Sequence, residues 1–239
     1  MKKSEINKEF NDKGFVILRN FMPIKKYKDA YKSICYHLEI DSKNKEIDFQ
    51  NLKIHKKLID LRKSKDFSKL YKSLQKINAL NNLFNYKPLL KVIGNLIHCE
   101  PEMTMISGEM YRLDAISDKF FSYGWHQDSH YYRQNKNFNH GCVAIFPFTK
   151  CSNISGSLNI LLRSHKRGNI KHKKNRVNKY FEINPNFSKK DLFIFNGRLG
   201  DVLLMKLNTI HKSGLNTSKL FRISAGARYH NTISGDLTT

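Results

Sequence analysis

No apolar stretch of this chain approaches the roughly 18 consecutive residues that a membrane-spanning helix needs, which argues against a helical span. Paired cysteines are also missing. Cys35, Cys99, Cys142 and Cys151 form no Cys-x-x-Cys unit, so neither a zinc knuckle nor a thioredoxin-type site is expected, and all four are read as reduced, structural thiols. There is no internal repeat, no RNP-like aromatic motif, no zinc finger and no helix-turn-helix signature. The opening residues Met1-Lys2-Lys3-Ser4-Glu5 are charged and lead into no apolar signal core, so a cytoplasmic location is expected. Acidic residues are scarce: 20 Asp and Glu stand against 43 Lys and Arg, a formal net charge of +23. Such a field attracts anions of any kind, from phosphorylated metabolites to acidic polymers and lipid surfaces. Three readings stay open: a Lys- and Asn-rich composition that solvates the surface, an anionic small-molecule substrate, and nucleic acid.

What is present is a globular chain, with 40% hydrophobic and 12% aromatic residues in 239, long enough to bury a large core. Apolar spacing predicts helices over residues 4–12, 24–40, about 66–82 and 87–97, with a short strand at Phe15–Arg19 after the Gly14 turn. From about residue 103 the texture becomes short and β-rich. Strands are expected over Thr104–Leu113, Gly124–Tyr132, Cys142–Phe148, Ser157–Arg163, Leu192–Phe195, Val202–Leu207 and Arg222–Tyr229. Helices followed by many short strands suggest helices packed outside a β-sandwich or jelly roll. One stretch stands apart. Lys166, Arg167, Lys171, Lys173, Lys174 and Arg176 crowd a region with little apolar content, read as a mobile surface loop: either a solvated insertion or a lid that meets an anionic substrate.

The strongest local signal is Tyr123-Gly124-Trp125-His126-Gln127-Asp128. On a strand, residues two apart share a face, so His126 and Asp128 project together, Gln127 turns away, and His130 has the parity to face the same pocket, where a substrate contact and a surface role both stay open. An imidazole and a carboxylate side by side, joined by one remote histidine, make the facial triad of non-haem iron(II) oxygenases, which leaves coordination positions open for a chelating oxoacid and oxygen. The remote histidine is His211, read as the end of the apolar strand Val202–Leu207. Arg222 then returns on a neighbouring strand, where its guanidinium can take a carboxylate through two parallel hydrogen bonds. Ser224 shares the Arg222 face and adds a hydroxyl. Each of these residues alone has an ordinary structural explanation; their order and spacing together point to a metal site. His165 is read as fixing a turn and Trp125 as packing.

The motifs His126-Gln127-Asp128, Ser155-Gly156-Ser157-Leu158, Ser164-His165, Gly200-Asp201, His211 and Arg222 resemble the phytanoyl-CoA dioxygenase family in order and spacing. Gly14-Phe15-Val16-Ile17-Leu18-Arg19-Asn20-Phe21 resembles the family's first strand. The family's usual Asn-Gly before Leu158 is Ser155-Gly156 here, and its usual Pro-Gly before Ser-His is Leu162-Arg163. The resemblance implies one dioxygenase domain over 1–239: a mostly helical part, 1–102, on a double-stranded β-helix core, 103–232, with a basic insertion at 166–190. It implies Fe(II) on His126, Asp128 and His211, 2-oxoglutarate as co-substrate with its distal carboxylate on Arg222, and O2 as oxidant. Tyr111 and Arg112 sit on the strand before the motif, where such folds line the oxoacid pocket and its substrate side. The implied reaction is hydroxylation of an aliphatic C–H of a small metabolite, with 2-oxoglutarate converted to succinate and CO2; an anionic substrate is what the basic charge, not the resemblance, suggests. Asp128 speaks against halogenation, since the related halogenases lack that carboxylate. The rival reading keeps the fold and gives up catalysis: a degenerate β-helix protein binding nucleic acid or another polyanion through its basic surface.

Overall fold

Strand β8 shows how the fold is assembled. Its five residues, Val202–Lys206, are all buried, because the strand is covered on both faces. Side chains alternate across it: Val202 and Leu204 enter a core shared with the helices, while Leu203 and Met205 enter a second core with Ile160 and Phe195. Neighbouring strands split in the same way. Val16 and Leu18 face the helical side and Phe15 the other; Cys142 and Ala144 face the helical side and Val143 the other.

The computed structural model describes residues 1–231 apart from 44, 65, 76, 116–122, 132–139 and 176–179. Its strands are β1 (Phe15–Leu18), β2 (Thr104–Asp114), β3 (Gly141–Pro147), β4 (Leu158–Leu161), β5 (Lys173–Lys174), β6 (Phe181–Glu182), β7 (Leu192–Ile194), β8, β9 (His211–Ser213) and β10 (Arg222–Asn231). One sheet runs β1-β8-β3-β10-β2, a second runs β7-β4-β9, and β5 pairs with β6. All pairings are antiparallel. The five-stranded and three-stranded sheets make a double-stranded β-helix core, with helices on the outer face of the larger sheet.

The helices are α1 (Lys3–Lys13), α2 (Lys28–His37), α3 (Leu52–Arg62), α4 (Asp66–Gln75), α5 (Asn81–Phe84) and α6 (Lys87–Ile97). In α6, Leu89, Ile93, Leu96 and Ile97 form the buried stripe at helical spacing. Helix α1 stops at Gly14, whose φ of +90° lets its N–H close on the Phe10 carbonyl; a Cβ there would meet the His165 ring at 2.5 Å. The expected helix over 24–40 is shorter. Residues Ile24–Tyr27 form a 3₁₀ turn after Pro23, and only then does α2 begin. Helix α3 was not expected from the pattern, because Lys53, Lys56, Lys57 and Arg62 dilute its apolar residues; Ile54 and Leu58 are nonetheless fully buried. Asn51 caps it by accepting from the Lys53 N–H. No helix among the described residues is long and apolar enough to cross a membrane.

Candidate active site

The segment carrying the His-Gln-Asp motif is not a strand. His126 makes one isolated antiparallel bridge to His211, with reciprocal N–H···O bonds of 2.9 and 3.0 Å, and Asp128 already opens a 3₁₀ turn, Asp128–Tyr131. Ladder pairing ends there because the next backbone donors go elsewhere: the Gln127 N–H bonds His172 Nε2 at 2.9 Å, and the Ser129 N–H bonds the Leu207 carbonyl at 2.9 Å. The bridge and turn bring both side chains to one point all the same. His211 is likewise not the end of β8. That strand stops at Lys206, and the chain crosses to the second sheet before His211 begins β9. Arg222, on β10 of the larger sheet, therefore faces His211 from the opposite sheet rather than from a neighbouring strand.

Candidate ligand atoms of His126, Asp128 and His211 lie within 4.8 Å of one another, and all three residues are buried. Each histidine turns Nδ1 to a backbone carbonyl, His126 to Gly124 at 2.8 Å and His211 to Thr209 at 3.0 Å. Those bonds fix the tautomer and leave Nε2 as the lone-pair nitrogen. His211 Nε2 is 3.6 Å from Asp128 Oδ2. The other oxygen, Oδ1, accepts from Arg228 Nε at 3.0 Å and Nη2 at 2.5 Å. Burial, then the neighbouring His211, lower the His126 pKa to about 3, and burial lowers that of His211 as well. Burial alone would raise the Asp128 carboxyl, but Arg228, His211 and His126 together pull it well below the usual carboxylate range. Two neutral imidazoles and one ionised carboxylate result, the donor set suited to non-haem iron(II).

These side chains open into a cavity of about 430 Å³ between the two sheets. Its opposite end is cationic. Arg222 donates through Nε and Nη2 to Asp114 Oδ2, at 3.0 and 2.5 Å, and through Nη1 to the Gly156 carbonyl. Asp114 Oδ1 accepts from Arg112 Nη2 at 2.7 Å. Two guanidinia thus share one carboxylate, whose pKa they hold low against the opposing effect of burial. Ser224 lines the same end, and Val143, Ile145, Leu158 and Phe195 supply an apolar wall.

Arg112 reaches the cavity and lies over the Tyr123 ring, 4.8 Å from its centroid. The Tyr111 side chain lies outside the described residues; its backbone pairs with Ala225. His130 does not take the strand-parity position expected of it. It sits in the 3₁₀ turn, stacked on His172 at 4.3 Å and against Phe181 at 4.7 Å, away from the cavity wall. The described parts of the basic insertion are docked rather than loose. His172 is buried, while Lys166, Arg167, Lys171, Lys173 and Lys174 are exposed; Arg176 lies outside the described residues. Tyr180, from the same insertion, lines the cavity with its ring 4.1 Å from that of Tyr123. Asp114, Arg228, Tyr131 and Tyr180 were not singled out from sequence. Even spacing would have found two of them: Asp114 is two residues from Arg112, and Arg228 is six from Arg222 on one strand. His165 bonds the Asn11 carbonyl, and Trp125 packs on Phe187 and Lys212.

The phytanoyl-CoA dioxygenase (PhyH) family profile matches residues 10–224. No curated protein matches the chain. Among solved structures, the non-heme monooxygenase ThoJ superposes with a TM-score of 0.69 at 15% identity, covering 95% of this chain and 77% of that one. EvdO2 from Micromonospora carbonacea var. aurantiaca, complexed with 2-oxoglutarate, gives 0.61 at 13% identity, covering 97% and 91%. The non-heme alpha ketoglutarate dependent epimerase SnoN from nogalamycin biosynthesis gives 0.60 at 12% identity, covering 96% and 82%. At these identities the likeness is one of fold.

Proposed function

Because the chain belongs to the phytanoyl-CoA dioxygenase family, we propose that it is an iron(II)- and 2-oxoglutarate-dependent oxygenase that hydroxylates an aliphatic C–H of a small metabolite. The observation that carries this reading is the buried cluster of His126, Asp128 and His211, with both Nδ1 atoms tied to carbonyls and Asp128 held ionised by Arg228. His126 and His211 would hold the metal through the Nε2 atoms that their Nδ1 bonds leave free, and Asp128 through its carboxylate. The bound iron would supply the oxidative decarboxylation of 2-oxoglutarate with O2 to succinate and CO2, and with it the oxidant for the substrate C–H. Arg228 keeps Asp128 Oδ1 engaged, so that one oxygen is presented to the ion. Arg222, steadied by Asp114, takes the distal carboxylate of 2-oxoglutarate. Its share of Asp114 is divided with Arg112, which leaves the group net cationic and suited to a second carboxylate. Ser224 adds a hydroxyl beside it. The apolar wall limits water around the reacting carbon.

The substrate in this reading is a small anion, drawn by the exposed lysines of 166–174. Fe(II)-dependent conversion of 2-oxoglutarate to succinate by the purified protein, with incorporation of oxygen from O2 into an organic product, is the test. A protein that forms no succinate above a metal-free control would overturn the proposal. Succinate formed alongside an epimerised or cyclised product would keep the cofactors and replace hydroxylation.

A further inference from the structure

Gln127, between the two motif ligands, has no part in the chemistry above, yet it is fully buried and every polar group it owns is engaged. Its N–H bonds His172 Nε2 at 2.9 Å, and its carbonyl accepts from the His130 N–H at 3.2 Å. Its side-chain oxygen accepts from the Ile170 N–H at 2.8 Å. Its amide nitrogen donates to the Gly168 carbonyl at 2.8 Å and the Asn208 carbonyl at 2.7 Å. Ser129 Oγ adds a bond of 2.7 Å to Asn169 Oδ1. His172 is held in one tautomer for this purpose, because its Nδ1–H donates to the Ile170 carbonyl at 2.7 Å and Nε2 is left to accept. Residues 168, 169, 170 and 172 of the insertion thus all bind the ligand-bearing segment. Further along, the Ile183 N–H bonds the Trp125 carbonyl at 2.8 Å, and Phe187 packs on the Trp125 ring. Between these two attachments, β5 and β6 pair and deliver Tyr180 to the cavity.

We propose that Gln127 is a positioning residue that makes the metal cradle and the insertion one mechanical unit, so that filling the cradle stiffens the insertion and its Tyr180 wall. The physical reason is local. The segment 126–131 has one bridge and one short turn, too little regular pairing to hold two ligands in place, and the bonds of Gln127 supply the missing constraint on both of its neighbours. Coupling of this kind is reciprocal: whatever frees the insertion weakens the metal, and metal tightens the insertion. The metal half rests on the iron assignment above; the clamp itself does not.

The experiment uses amide hydrogen exchange and the emission of Trp125, the single tryptophan, with Co(II) as the probe ion. In metal-free protein, Gln127→Leu should speed exchange over 168–174 and change the Trp125 emission. Gln127→Glu keeps the acceptor for Ile170 but turns a buried carboxyl oxygen toward the Gly168 and Asn208 carbonyls, and should speed exchange over 168–174 at least as much. Co(II) should slow exchange over 168–174 in the wild type, although no residue there belongs to the ligand set. In Gln127→Leu that protection should vanish and Co(II) affinity should drop by about 10- to 100-fold, the usual cost of losing an outer support of a metal site. Ser129→Ala, which removes one bond only, gives a smaller change of the same sign should Gln127→Leu not fold. Co(II) affinity in Gln127→Leu within twofold of wild type, or exchange over 168–174 indifferent to Co(II), would overturn the coupling. A wild type that binds no Co(II) would sink the iron assignment and the coupling with it. Unchanged exchange in metal-free Gln127→Leu would sink the clamp alone.

Discussion

The two ends of the cavity are built on different plans. Arg112, Asp114, Arg222 and Ser224 stand on β2 and β10, two long strands paired from Arg222↔Asp114 to Asn231↔Thr104. His126, Asp128 and His211 stand on a single bridge, a four-residue 3₁₀ turn and a three-residue strand. The arginine end takes its positions from a sheet. The metal end takes them from individual hydrogen bonds, those of Gln127 and Arg228 and those of the Gly124 and Thr209 backbone carbonyls to the two imidazoles. One end should therefore be sensitive to charge and tolerant of small geometric change, and the other should be sensitive to both.

Substitutions at the metal end should have the largest effect. His126→Ala or His211→Ala should bring Fe(II)-dependent succinate formation to background, with Co(II) binding lost in parallel; wild-type turnover in either variant would refute the triad. Next comes the arginine end. Arg222→Ala should raise the KM for 2-oxoglutarate, since losing a charge-assisted pair in a desolvated pocket costs about 2–5 kcal/mol, roughly 30- to 5,000-fold. Arg222→Lys should recover only part, because a point charge cannot form the fork. An unchanged KM would remove Arg222 from oxoacid binding. Asp114→Asn probes the same end through stability. It leaves the buried Arg222 and the partly buried Arg112 without their carboxylate and should cost about 3–5 kcal/mol in chemical denaturation.

The residues that meet at the cavity were largely legible in residue types, and much of the geometry was not. His126, Asp128, His211 and Arg222 could be picked out because few other chemistries use two histidines, a carboxylate and an arginine in that order. The strand drawn through Gly124–Tyr132 was wrong, since period-two spacing looks the same in a strand as in a bridge followed by a 3₁₀ turn, and only the partners of Gln127 and Ser129 distinguish them. His130 inherited that error and in fact packs on His172. The insertion looked loose because its charges are conspicuous, whereas its docking depends on His172 and on backbone groups of Gly168 and Ile170, which carry no compositional signal. Asp114 was passed over because a carboxylate beside arginines reads as a surface pair until the fold buries it.

A smaller effect should come from outside the cavity, where His55 ties α3 to the start of β10. It donates from Nε2 to the Phe49 carbonyl and accepts at Nδ1 from the N–H of Phe221, the residue before Arg222, each at 3.0 Å. Burial lowers its pKa from the ordinary 6.5. The unfolded chain therefore takes up the proton first as pH falls through 6.5, and stability contributed by neutral His55 is lost from there downward. The slope approaches about 1.4 kcal/mol per pH unit for one such proton. His55→Gln should flatten that part of the stability–pH curve for metal-free protein; an identical slope would show that His55 does not set it. The smallest effect is expected at the exposed lysines. Changing Lys171, Lys173 and Lys174 together to Gln should leave substrate-free decarboxylation of 2-oxoglutarate nearly unchanged. It should reduce the salt dependence of kcat/KM for an anionic substrate, because exposed charges are screened over about 10 Å at 0.1 M salt. Salt dependence equal to that of the wild type would reduce the basic stretch to solvated surface.

The central proposal is that His126, Asp128 and His211 would hold iron(II) and that Arg222 would take the far carboxylate of 2-oxoglutarate. Anaerobic addition of Fe(II) and 2-oxoglutarate, followed by visible absorption, tests it most directly. The wild type should develop a weak charge-transfer band that saturates with 2-oxoglutarate. Arg222→Ala should need far more oxoacid to reach the same band, and His211→Ala should show none. A wild type without the band, or a His211→Ala variant that keeps it, would contradict the account.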